Sequence, residues 1–559
     1  MDDIRGYSPP SVAEQDEYYR GLAGIPRLVA RTSTDAWERP ADFWRVDKKI
    51  STVTRHEIVH KWCPELRDAL ISTLNNSDNG RGNKLAWNVF YPIRIGAVVH
   101  NKMFRDEQHP VVLLVGLDRS ENECTWEAAL RVALRCRDLL RLFSINTVEV
   151  EIQETRIALH ASPQSSSLAS AVDWRFSQKV PPYEYEIDNE CAALNGTIMP
   201  LLPFPGHAIQ QEPAKKATEP SAKAGTMGVF LRLKPPGQSG SKDDTVNDEV
   251  YGLTSRHVAV ANRAPLGQDI RAADDGDARP KGLLLFSGGA SCAYGCFYDL
   301  KNAQVALQQV FRTTQMKYFK QPEIPSVVAE YQLQHDALGY ADTWCARLHD
   351  LSDLEDDDTS ERLVGSVAYS PGHAITGRGR FRDWSLVKLA ETKGTANLVY
   401  LVGEVTRAAI LRADQISAWQ QEEPTHRSLV YEEPKLDKNG FLHIHGDAIA
   451  KKPPFEEDLR RSHLVAKRGA KSDLTFGVTN EIEAVRRTLM ASPEGTADDS
   501  LVSFHLLVLD FAGGWFSKPG DSGACVFDTF GRVVGMVDAG QPTEAVERFM
   551  VKPTGDDTD

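Results

Sequence analysis

The strongest chemical signal in the sequence lies near its C-terminal end, around Ser522. Residues 519–527 read PGDSGACVF, so this serine stands between glycines and precedes a short apolar stretch. Small neighbours let the backbone of a substrate approach the hydroxyl closely. A serine hydroxyl attacks poorly until a base takes its proton. The segment therefore predicts a nucleophile, and it requires a histidine elsewhere in the chain.

Two further segments could supply the base and the group that orients it. Among the 15 histidines, His257 stands out because residues 251–259, YGLTSRHVA, place it where an apolar strand runs into a short turn. Asp383 opens the alternating stretch of residues 381–389, FRDWSLVKL, which predicts a strand. A carboxylate beside an imidazole fixes its tautomer and stabilises its protonated form. These two residues and Ser522 thus form a candidate catalytic set.

The three segments together resemble those of the trypsin-like serine proteases, which have the chymotrypsin fold. Residues 253–257, LTSRH, resemble the family's LTAAH segment, residues 383–389 resemble its DIALLKL segment, and residues 520–523 are its GDSG signature. The order of the three candidate residues also matches the family. Residues 465–478 resemble the entry to the second barrel in intracellular and microbial members, so the resemblance covers about residues 225–552. The layout also resembles large fungal cytoplasmic proteins with such a domain at the C-terminal end.

The resemblance implies a serine endopeptidase that hydrolyses peptide bonds in protein substrates through an acyl-enzyme, with a regulatory or self-processing role. His257 would act as general base and then as general acid, Asp383 would orient it, and Ser522 would be the nucleophile. The backbone N–H groups of Gly520 and Ser522 would form the oxyanion hole. No cofactor is expected for this chemistry.

The resemblance also assigns a substrate pocket. Phe516 precedes Ser522 at the position where the base of the pocket would fall, and it supplies no charge to select Lys or Arg. Residues 535–540, GMVDAG, would form the pocket wall and end at Gly540. Asp538 stands in that wall where a small hydroxyl residue is more usual.

One departure from the family concerns how the site is assembled. In secreted members the aspartate before the nucleophile pairs with an amino terminus freed by cleavage, and this chain has no activation sequence of the IVGG type. Asp521 must therefore have another partner, or the site is assembled without cleavage.

Two other interpretations use the same residues. A nucleophile elbow of the α/β-hydrolases requires a histidine after the serine. The last histidine of the chain is His505, which precedes Ser522, so that interpretation fails. A protease-like scaffold that binds partners without turnover stays open, because the pocket residues are unusual.

A separate motif near the N-terminus could hold zinc. His56, Glu57 and His60 form an HExxH match, which on a helix would place two imidazoles one turn apart with a carboxylate to activate water. The alternative is a partly exposed amphipathic helix with Ile58, Val59 and Trp62 toward the core. Lys61 directly after the second histidine, and the lack of a clear third ligand motif, favour this alternative.

The elements that would position these residues fall into two units. Residues 1–208 predict an α/β domain, with a helix over about 55–75, a strand at 109–117, a helix at 126–143 and a strand at 147–152. Its role is not assigned beyond a candidate site for a regulatory partner.

The second unit follows a linker. Residues 209–224, IQQEPAKKATEPSAKA, are too poor in large apolar groups to bury a core, so we expect an exposed linker and self-cleavage within it. Residues 225–559 are expected to form an all-β double six-stranded barrel. A helical insertion at about 299–352 and a loop insertion at about 412–460 lengthen it.

Composition bounds the partners. The chain has 559 residues, a net charge of −14 and eight scattered cysteines. An acidic chain disfavours a nucleic-acid groove as its main function, and sparse cysteines are typical of a reducing compartment. No long apolar run and no signal segment is visible. We therefore expect a cytoplasmic protein with a protein or peptide substrate and without nucleic-acid or membrane partners.

Overall fold

The structure is a computed structural model, and the description below is limited to the parts of the chain that it places. These are residues 4–22, 25–39, 46–99, 109–118, 123–155, 158–159, 162–163, 208–211, 223–232, 249–260, 267–271, 283–286, 305, 308–309, 311–328, 331–332, 335, 338, 342, 363–390, 397–400, 429–430, 436, 441–445, 462–489, 500–510, 516–540 and 549–553.

The N-terminal region combines helices with strands of a mixed sheet. Its elements, in chain order, are α1 (Val12–Glu17), β1 (Leu28–Arg31), β2 (Val46–Ser51), α2 (Ile58–Lys61), α3 (Pro64–Asn75), β3 (Trp87–Val99), β4 (Val111–Leu117), α4 (Trp126–Leu142) and β5 (Glu149–Glu154).

The strand–helix–strand unit predicted from residues 109–152 is confirmed. The parallel strands β4 and β5 are joined by α4, whose first turn is capped by the Thr125 hydroxyl accepting from the Ala128 N–H at 3.3 Å. Successive residues of β4 are buried on opposite faces of the sheet: Leu113 contributes to the apolar cluster beneath α3 and α4, and Leu114 to a second cluster. A strand covered on both faces must be apolar throughout, which explains its continuous apolar sequence.

The single helix predicted over about 55–75 is wrong. Two helices, α2 and α3, occupy this stretch, and the backbone between them leaves the helical region at Trp62 and Cys63. Proline disfavours helical backbone in the residue before it and fits the first turn of a new helix. Pro64 therefore starts α3 and separates it from α2.

A nine-stranded antiparallel sheet, here called the nine-stranded sheet, is formed mainly by the middle part of the chain. In chain order, this part of the chain begins with β6 (Ala158–Leu159), which belongs to the other large sheet. The elements of the nine-stranded sheet and its short helix follow: β7 (Ser162–Pro163), β8 (Ala208–Gln211), β9 (Lys223–Thr226), β10 (Phe230–Leu231), β11 (Tyr251–Thr254), α5 (Arg256–Ala259), β12 (Ile270–Arg271), β13 (Leu283–Phe286), β14 (Leu363–Ser370) and β15 (Ser385–Leu389).

The remaining strands lie toward the C-terminal end. They are β16 (Leu398–Tyr400), β17 (Leu429–Val430), β18 (Phe441–His443), β19 (Ser462–Gly469), β20 (Asp473–Thr479), β21 (Ala484–Leu489), β22 (Ser500–Asp510), β23 (Cys525–Asp528), β24 (Val533–Gly540) and β25 (Phe549–Pro553).

Strand pairing follows two cyclic paths in these regions. In the nine-stranded sheet, β9 and β10 are successive segments of one stretch. The path runs from that stretch through β11, β15, β14, β13 and β8 back to it. Toward the C-terminus, the path β22, β20, β19, β23, β24 and β25 returns to β22, because β25 pairs with both β24 and β22. We call this group the C-terminal sheet.

The N-terminal region and the C-terminal sheet are parts of one 14-stranded sheet. Strand β21 pairs with β3, where Val485 lies opposite Phe90, and Val485 is buried in the N-terminal apolar cluster. The Asn480 side chain accepts from the Val53 N–H at 3.0 Å and donates to the Pro92 carbonyl at 3.1 Å. The two predicted units are therefore joined by backbone pairing, a shared core and buried hydrogen bonds.

The linker predicted over 209–224 is shorter than expected. Its two ends belong to β8 and β9, which pair with each other as an antiparallel hairpin. Residues 212–222 lie outside the described residues. The polar composition that suggested a linker is thus the connection between two strands.

The described part of the chain is mostly β, with few helices. The helical pattern predicted within about 299–352 is present in residues 311–320 and 325–328, with a non-helical break between them. Most of the predicted loop insertion at 412–460 lies outside the described residues. No helix in the described ranges is both long enough and apolar enough to cross a membrane.

Candidate active site

Three side chains from distant parts of the chain meet in one buried hydrogen-bonded series. Nδ1 of His257 lies 2.5 Å from Oδ2 of Asp383, and Nε2 of the same ring lies 2.9 Å from Oγ of Ser522. All three residues are buried. The structure therefore brings together the set that the sequence predicted, and the imidazole bridges the carboxylate and the hydroxyl through its two nitrogens.

The nine-stranded sheet positions the histidine and the aspartate. Strand β11 ends at Thr254, and the one-turn helix α5 directly after it carries His257. Strand β15 pairs antiparallel with β11, with Ser385 opposite Thr254. Asp383 lies two residues before β15. Because neighbouring strands lie about 4.8 Å apart, its side chain reaches the histidine that follows β11.

Ser522 lies on a turn whose backbone conformation favours glycine at two positions. Gly520 and Gly523 have φ values of +107° and +93°, in the left-handed region. A Cβ at Gly523 would also lie 2.2 Å from the Thr226 carbonyl oxygen. The conformation of the turn therefore explains why glycines stand before Asp521 and after Ser522.

The turn is fixed both to the nine-stranded sheet and to the C-terminal sheet. The Thr226 N–H donates to the Ser522 carbonyl at 2.8 Å, and the Thr226 hydroxyl donates to the Gly520 carbonyl at 2.9 Å. On the other side, the Gly523 N–H donates to the Val537 carbonyl at 3.0 Å. The site thus lies between the two sheets and depends on both.

The carboxylate of Asp383 has further partners. Its Oδ1 accepts from the His257 backbone N–H at 2.9 Å and lies 3.3 Å from Nε2 of His373. The His373 ring stacks on Phe381 with a centroid distance of 5.1 Å. These contacts fix both oxygens of the carboxylate, and sequence reasoning missed His373 because no local motif marks it.

The sequence predicts that the backbone N–H groups of Gly520 and Ser522 form an oxyanion hole. Within the described residues, neither the Gly520 N–H nor the Ser522 N–H donates to another protein group. Two backbone donors beside a nucleophilic hydroxyl can stabilise a negative oxygen that forms on a substrate carbonyl. The two N–H groups are therefore available for the role that the sequence predicted.

Asp521 is paired with a lysine from the C-terminal sheet. Its Oδ2 lies 3.1 Å from Nζ of Lys467, and neither side chain has exposed surface. Oδ2 accepts from the Ser472 hydroxyl at 2.5 Å and from the Lys518 N–H at 2.8 Å, and Oδ1 accepts from the Lys471 N–H at 2.8 Å.

This environment keeps the Asp521 carboxylate charged. Burial alone would raise the pKa of Asp521, but the Lys467 ammonium and the hydrogen bonds from Ser472 and two backbone N–H groups hold the pKa below its ordinary value. The sequence had identified the need for a partner but could not name it. The structure assigns Lys467, which approaches from β19.

Asp538 belongs to a buried polar cluster behind the nucleophile. Its main-chain oxygen lies 3.1 Å from Oγ of Ser522, so the hydroxyl is within hydrogen-bond distance of both this oxygen and His257. Its carboxylate Oδ2 lies 3.2 Å from a guanidinium nitrogen of Arg486 and 3.8 Å from Nδ1 of His505. Arg486 therefore offsets the charge that the sequence analysis found unusual at this position.

The other two predicted pocket residues have different surroundings. Phe516 is fully buried in an apolar cluster with Val465, Val508 and Val537, so it serves as a core residue in this structure. Gly540 ends β24 and lies on the same strand as Asp538, as the predicted pocket wall required.

The HExxH segment does not have the geometry expected of a zinc site. Helix α2 begins at Ile58, so His56 precedes it and the two imidazoles do not share a helix face. Nε2 of His56 lies 3.0 Å from the Thr147 hydroxyl, and Glu57 is paired with Lys61 at 2.6 Å. The amphipathic alternative fits better, because Ile58 and Val59 are buried.

One group among the described residues has donor atoms close enough to hold a metal ion, namely His257, Asp383 and Asp538, within 4.8 Å of one another. Both nitrogens of His257 are already engaged with Asp383 and Ser522. A cation would also compete with Arg486 for the Asp538 carboxylate. The donor set therefore fits a hydrogen-bonded series better than a metal centre.

Comparisons with known proteins do not identify this chain. No protein-family model matches the sequence, and no curated protein matches it. The functional argument therefore rests on the geometry of the site.

Proposed function

We propose that this protein is a serine endopeptidase of the trypsin-like type, which hydrolyses peptide bonds in protein substrates. The observation that carries the proposal is the continuous hydrogen-bonded series from Asp383 through His257 to Ser522, with distances of 2.5 and 2.9 Å. A nucleophile, a base within reach and a group that orients the base are the parts that acyl transfer requires.

The two cyclic strand paths support the corresponding fold. The proposal assigns one six-stranded barrel to the nine-stranded sheet, with His257 and Asp383, and a second to the C-terminal sheet, with Ser522. A site between two barrels explains why Thr226 of the nine-stranded sheet and Val537 of the C-terminal sheet both bond to the nucleophile turn.

The proposed reaction uses the described groups in sequence. His257 Nε2 takes the proton of the Ser522 hydroxyl as Oγ attacks the scissile carbonyl carbon, and Asp383 stabilises the imidazolium. The Gly520 and Ser522 N–H groups hold the oxyanion. His257 then gives the proton to the leaving amine, and water hydrolyses the acyl-enzyme by the same route.

The Lys467–Asp521 pair supports activity without a freed amino terminus. Asp521 lies between Gly520 and Ser522, so its buried anchoring to β19 fixes the backbone that carries both oxyanion donors. A fixed donor pair needs no rearrangement at the moment of reaction. We therefore expect the uncut chain to have an assembled site.

A fluorophosphonate probe tests this proposal directly, because it forms a covalent bond only with an activated serine. Wild-type protein should be labelled at Ser522, and the Ser522→Ala variant should not. Equal labelling of the two, or labelling of neither, would leave a scaffold without turnover as the better interpretation.

A further inference from the structure

A buried arginine is connected to the nucleophile through Asp538. A guanidinium nitrogen of Arg486 lies 3.2 Å from Oδ2 of Asp538, and both side chains are buried. The main-chain oxygen of the same aspartate lies 3.1 Å from Oγ of Ser522. Asp538 thus has an ion pair on its side chain and a contact with the nucleophile on its backbone. The proposed reaction gives neither side chain of this ion pair a role.

Asp538 lies at an irregularity of strand β24. Strand β25 has no residue between Val551 and Met550, whereas β24 has Asp538 between the two residues that pair with them. Such a bulge leaves the extra residue out of the regular pairing and changes the direction of its side chain. The main-chain oxygen of Asp538 meets the nucleophile instead, and its carboxylate is held by a group from another strand.

Strand β21 presents the arginine to this carboxylate. It pairs on one edge with β22, where Arg486 lies opposite Ser503, and on the other edge with β3, where Arg486 lies opposite Val89. Alternate residues of a strand point to opposite faces of its sheet. Arg487 accordingly donates to the Leu85 carbonyl of the N-terminal region at 3.3 Å, whereas its neighbour forms the ion pair described above. Pairing on both edges fixes the strand from which the guanidinium extends.

The Asp538 carboxylate is a second negative group near the imidazole of His257. Single donor atoms of His257, Asp383 and Asp538 lie within 4.8 Å of one another. Two carboxylates so close together in a buried site disfavour the charged form of each other unless a cation compensates. Arg486 supplies that cation, because a guanidinium stays protonated in proteins.

Three further charged or titratable groups among the described residues face these two carboxylates: Arg256 of α5, His373 before β15 and His505 of β22. Arg256 interacts electrostatically with Asp383, and Nε2 of His373 lies 3.3 Å from its Oδ1. Nδ1 of His505 lies 3.8 Å from Oδ2 of Asp538. The guanidinium of the ion pair lies closer to that carboxylate, and its charge does not depend on pH.

We propose that Arg486 is a positioning residue for the nucleophile and acts through Asp538. Its guanidinium holds this aspartate, so that the main-chain oxygen stays beside Oγ of Ser522. Its charge also compensates the second carboxylate, so that His257 responds to Asp383 alone. This inference rests on the proposed function and adds to it a group that contacts neither the substrate nor the reacting atoms.

The ion pair predicts shifts of opposite sign when each partner is changed. In Arg486→Met, the uncompensated carboxylate favours a protonated imidazole at His257. The rise of the fluorophosphonate labelling rate with pH should then have a midpoint higher than that of wild type by about one pH unit. In Asp538→Asn, the uncompensated guanidinium disfavours the protonated imidazole, so the midpoint should be lower than in wild type. The double variant Arg486→Met/Asp538→Asn should return to the midpoint of wild type.

The experiment uses the full chain and measures the labelling rate of Ser522 from about pH 5 to about pH 9, which spans the range in which an imidazole changes charge. The unfolding temperature of each variant is measured in parallel. Arg487→Met is the matched control, because it removes a buried guanidinium from the opposite face of the same strand. It should lower the unfolding temperature and keep the midpoint of wild type. Arg486→Lys keeps the charge and should also keep that midpoint.

Opposite shifts in the two single variants, with a wild-type midpoint in the double variant, support the inference. Unchanged midpoints, shifts of the same sign, or a shift equal to that of Arg487→Met overturn it, and the endopeptidase stands because wild type is labelled. If Arg486→Met does not fold, Asp538→Asn decides alone, since the amide has the shape of the carboxylate: a lower midpoint supports the inference and an unchanged or higher one overturns it. No labelling of any protein, wild type included, overturns the proposed function and this inference with it.

Discussion

The N-terminal region and the surroundings of Ser522 bury different kinds of side chain. Beneath α3 and α4, the core is an apolar cluster in which residues such as Leu70 and Leu130 have no exposed surface. Around Ser522, the groups without exposed surface include Lys467, Asp521 and Asp538.

The two kinds of burial have different energetic consequences. Apolar burial stabilises by about 25 cal/mol for each Å² removed from water. A buried ion pair is often no more stabilising than an apolar pair of similar volume, although loss of one partner is strongly destabilising. The charges buried around Ser522 therefore indicate that they hold the groups of the site in place. The N-terminal apolar cluster instead indicates a contribution to the stability of the fold.

The largest effect is expected at the group that orients the base. Asp383→Asn should lower the rate of fluorophosphonate labelling by about 10⁴-fold, because an amide no longer favours the required tautomer of His257. His373→Gln is the matched control, since it removes a neighbour of the same carboxylate and leaves the carboxylate itself. A similar rate in Asp383→Asn and wild type would contradict the assignment.

The buried ion pair should affect stability and activity together. Lys467→Met leaves the Asp521 carboxylate buried without its ammonium partner, so the free energy of unfolding should fall by about 3–5 kcal/mol. Labelling of Ser522 should be lost as the Gly520–Ser522 turn loses its anchor. The double variant Lys467→Met/Asp521→Asn should regain part of the stability, as denaturant unfolding can measure. Wild-type labelling in Lys467→Met would show that the pair has no positioning role.

An apolar truncation in the N-terminal region should separate these two properties. Leu70→Ala should lower the free energy of unfolding by about 2–5 kcal/mol through lost burial and a cavity. Under native conditions, its labelling rate should equal that of wild type, because no group around Ser522 changes. A slower labelling rate would indicate that the shared sheet transmits packing changes to the site.

The smallest effect concerns acid stability. The pKa of Asp521 is lower in the folded chain than its ordinary value, so its contribution to stability is complete above about pH 4. This contribution is lost as the pH falls through the folded pKa, since the unfolded chain then binds more protons. In Asp521→Asn, the unfolding temperature should therefore fall less between pH 4 and pH 2 than it does in wild type. An equal fall in the unfolding temperature of the two proteins would contradict a lowered pKa of Asp521 in the folded chain.

Local patterns predicted the elements that depend on neighbours in sequence. The helix Trp126–Leu142 and the strands on either side of it follow from apolar spacing over a few turns, and Pro64 could have marked the break between α2 and α3. The zinc interpretation of His56 and His60 required one helix to carry both residues, but α2 begins at Ile58, after His56. A motif match carries its chemistry only when the backbone has the expected conformation.

The partners of charged residues were not predictable in this way. Lys467 lies 54 residues before Asp521, and Arg486 lies 52 residues before Asp538. No periodicity connects positions so far apart, since their meeting depends on which strands pair and in which register. The polar composition of residues 209–224 likewise could not reveal that its ends form a hairpin.

The sequence by itself determined the chemistry available to this protein. The glycines around Ser522, the strand before His257 and the strand after Asp383 are local features, because turn and strand conformations depend on adjacent residues. Only the tertiary structure decided which groups meet: Lys467 with Asp521, β3 with β21, and β6 with the edge of β24. Strand pairing brings together residues that are far apart in sequence, and it depends on the packing of the whole chain.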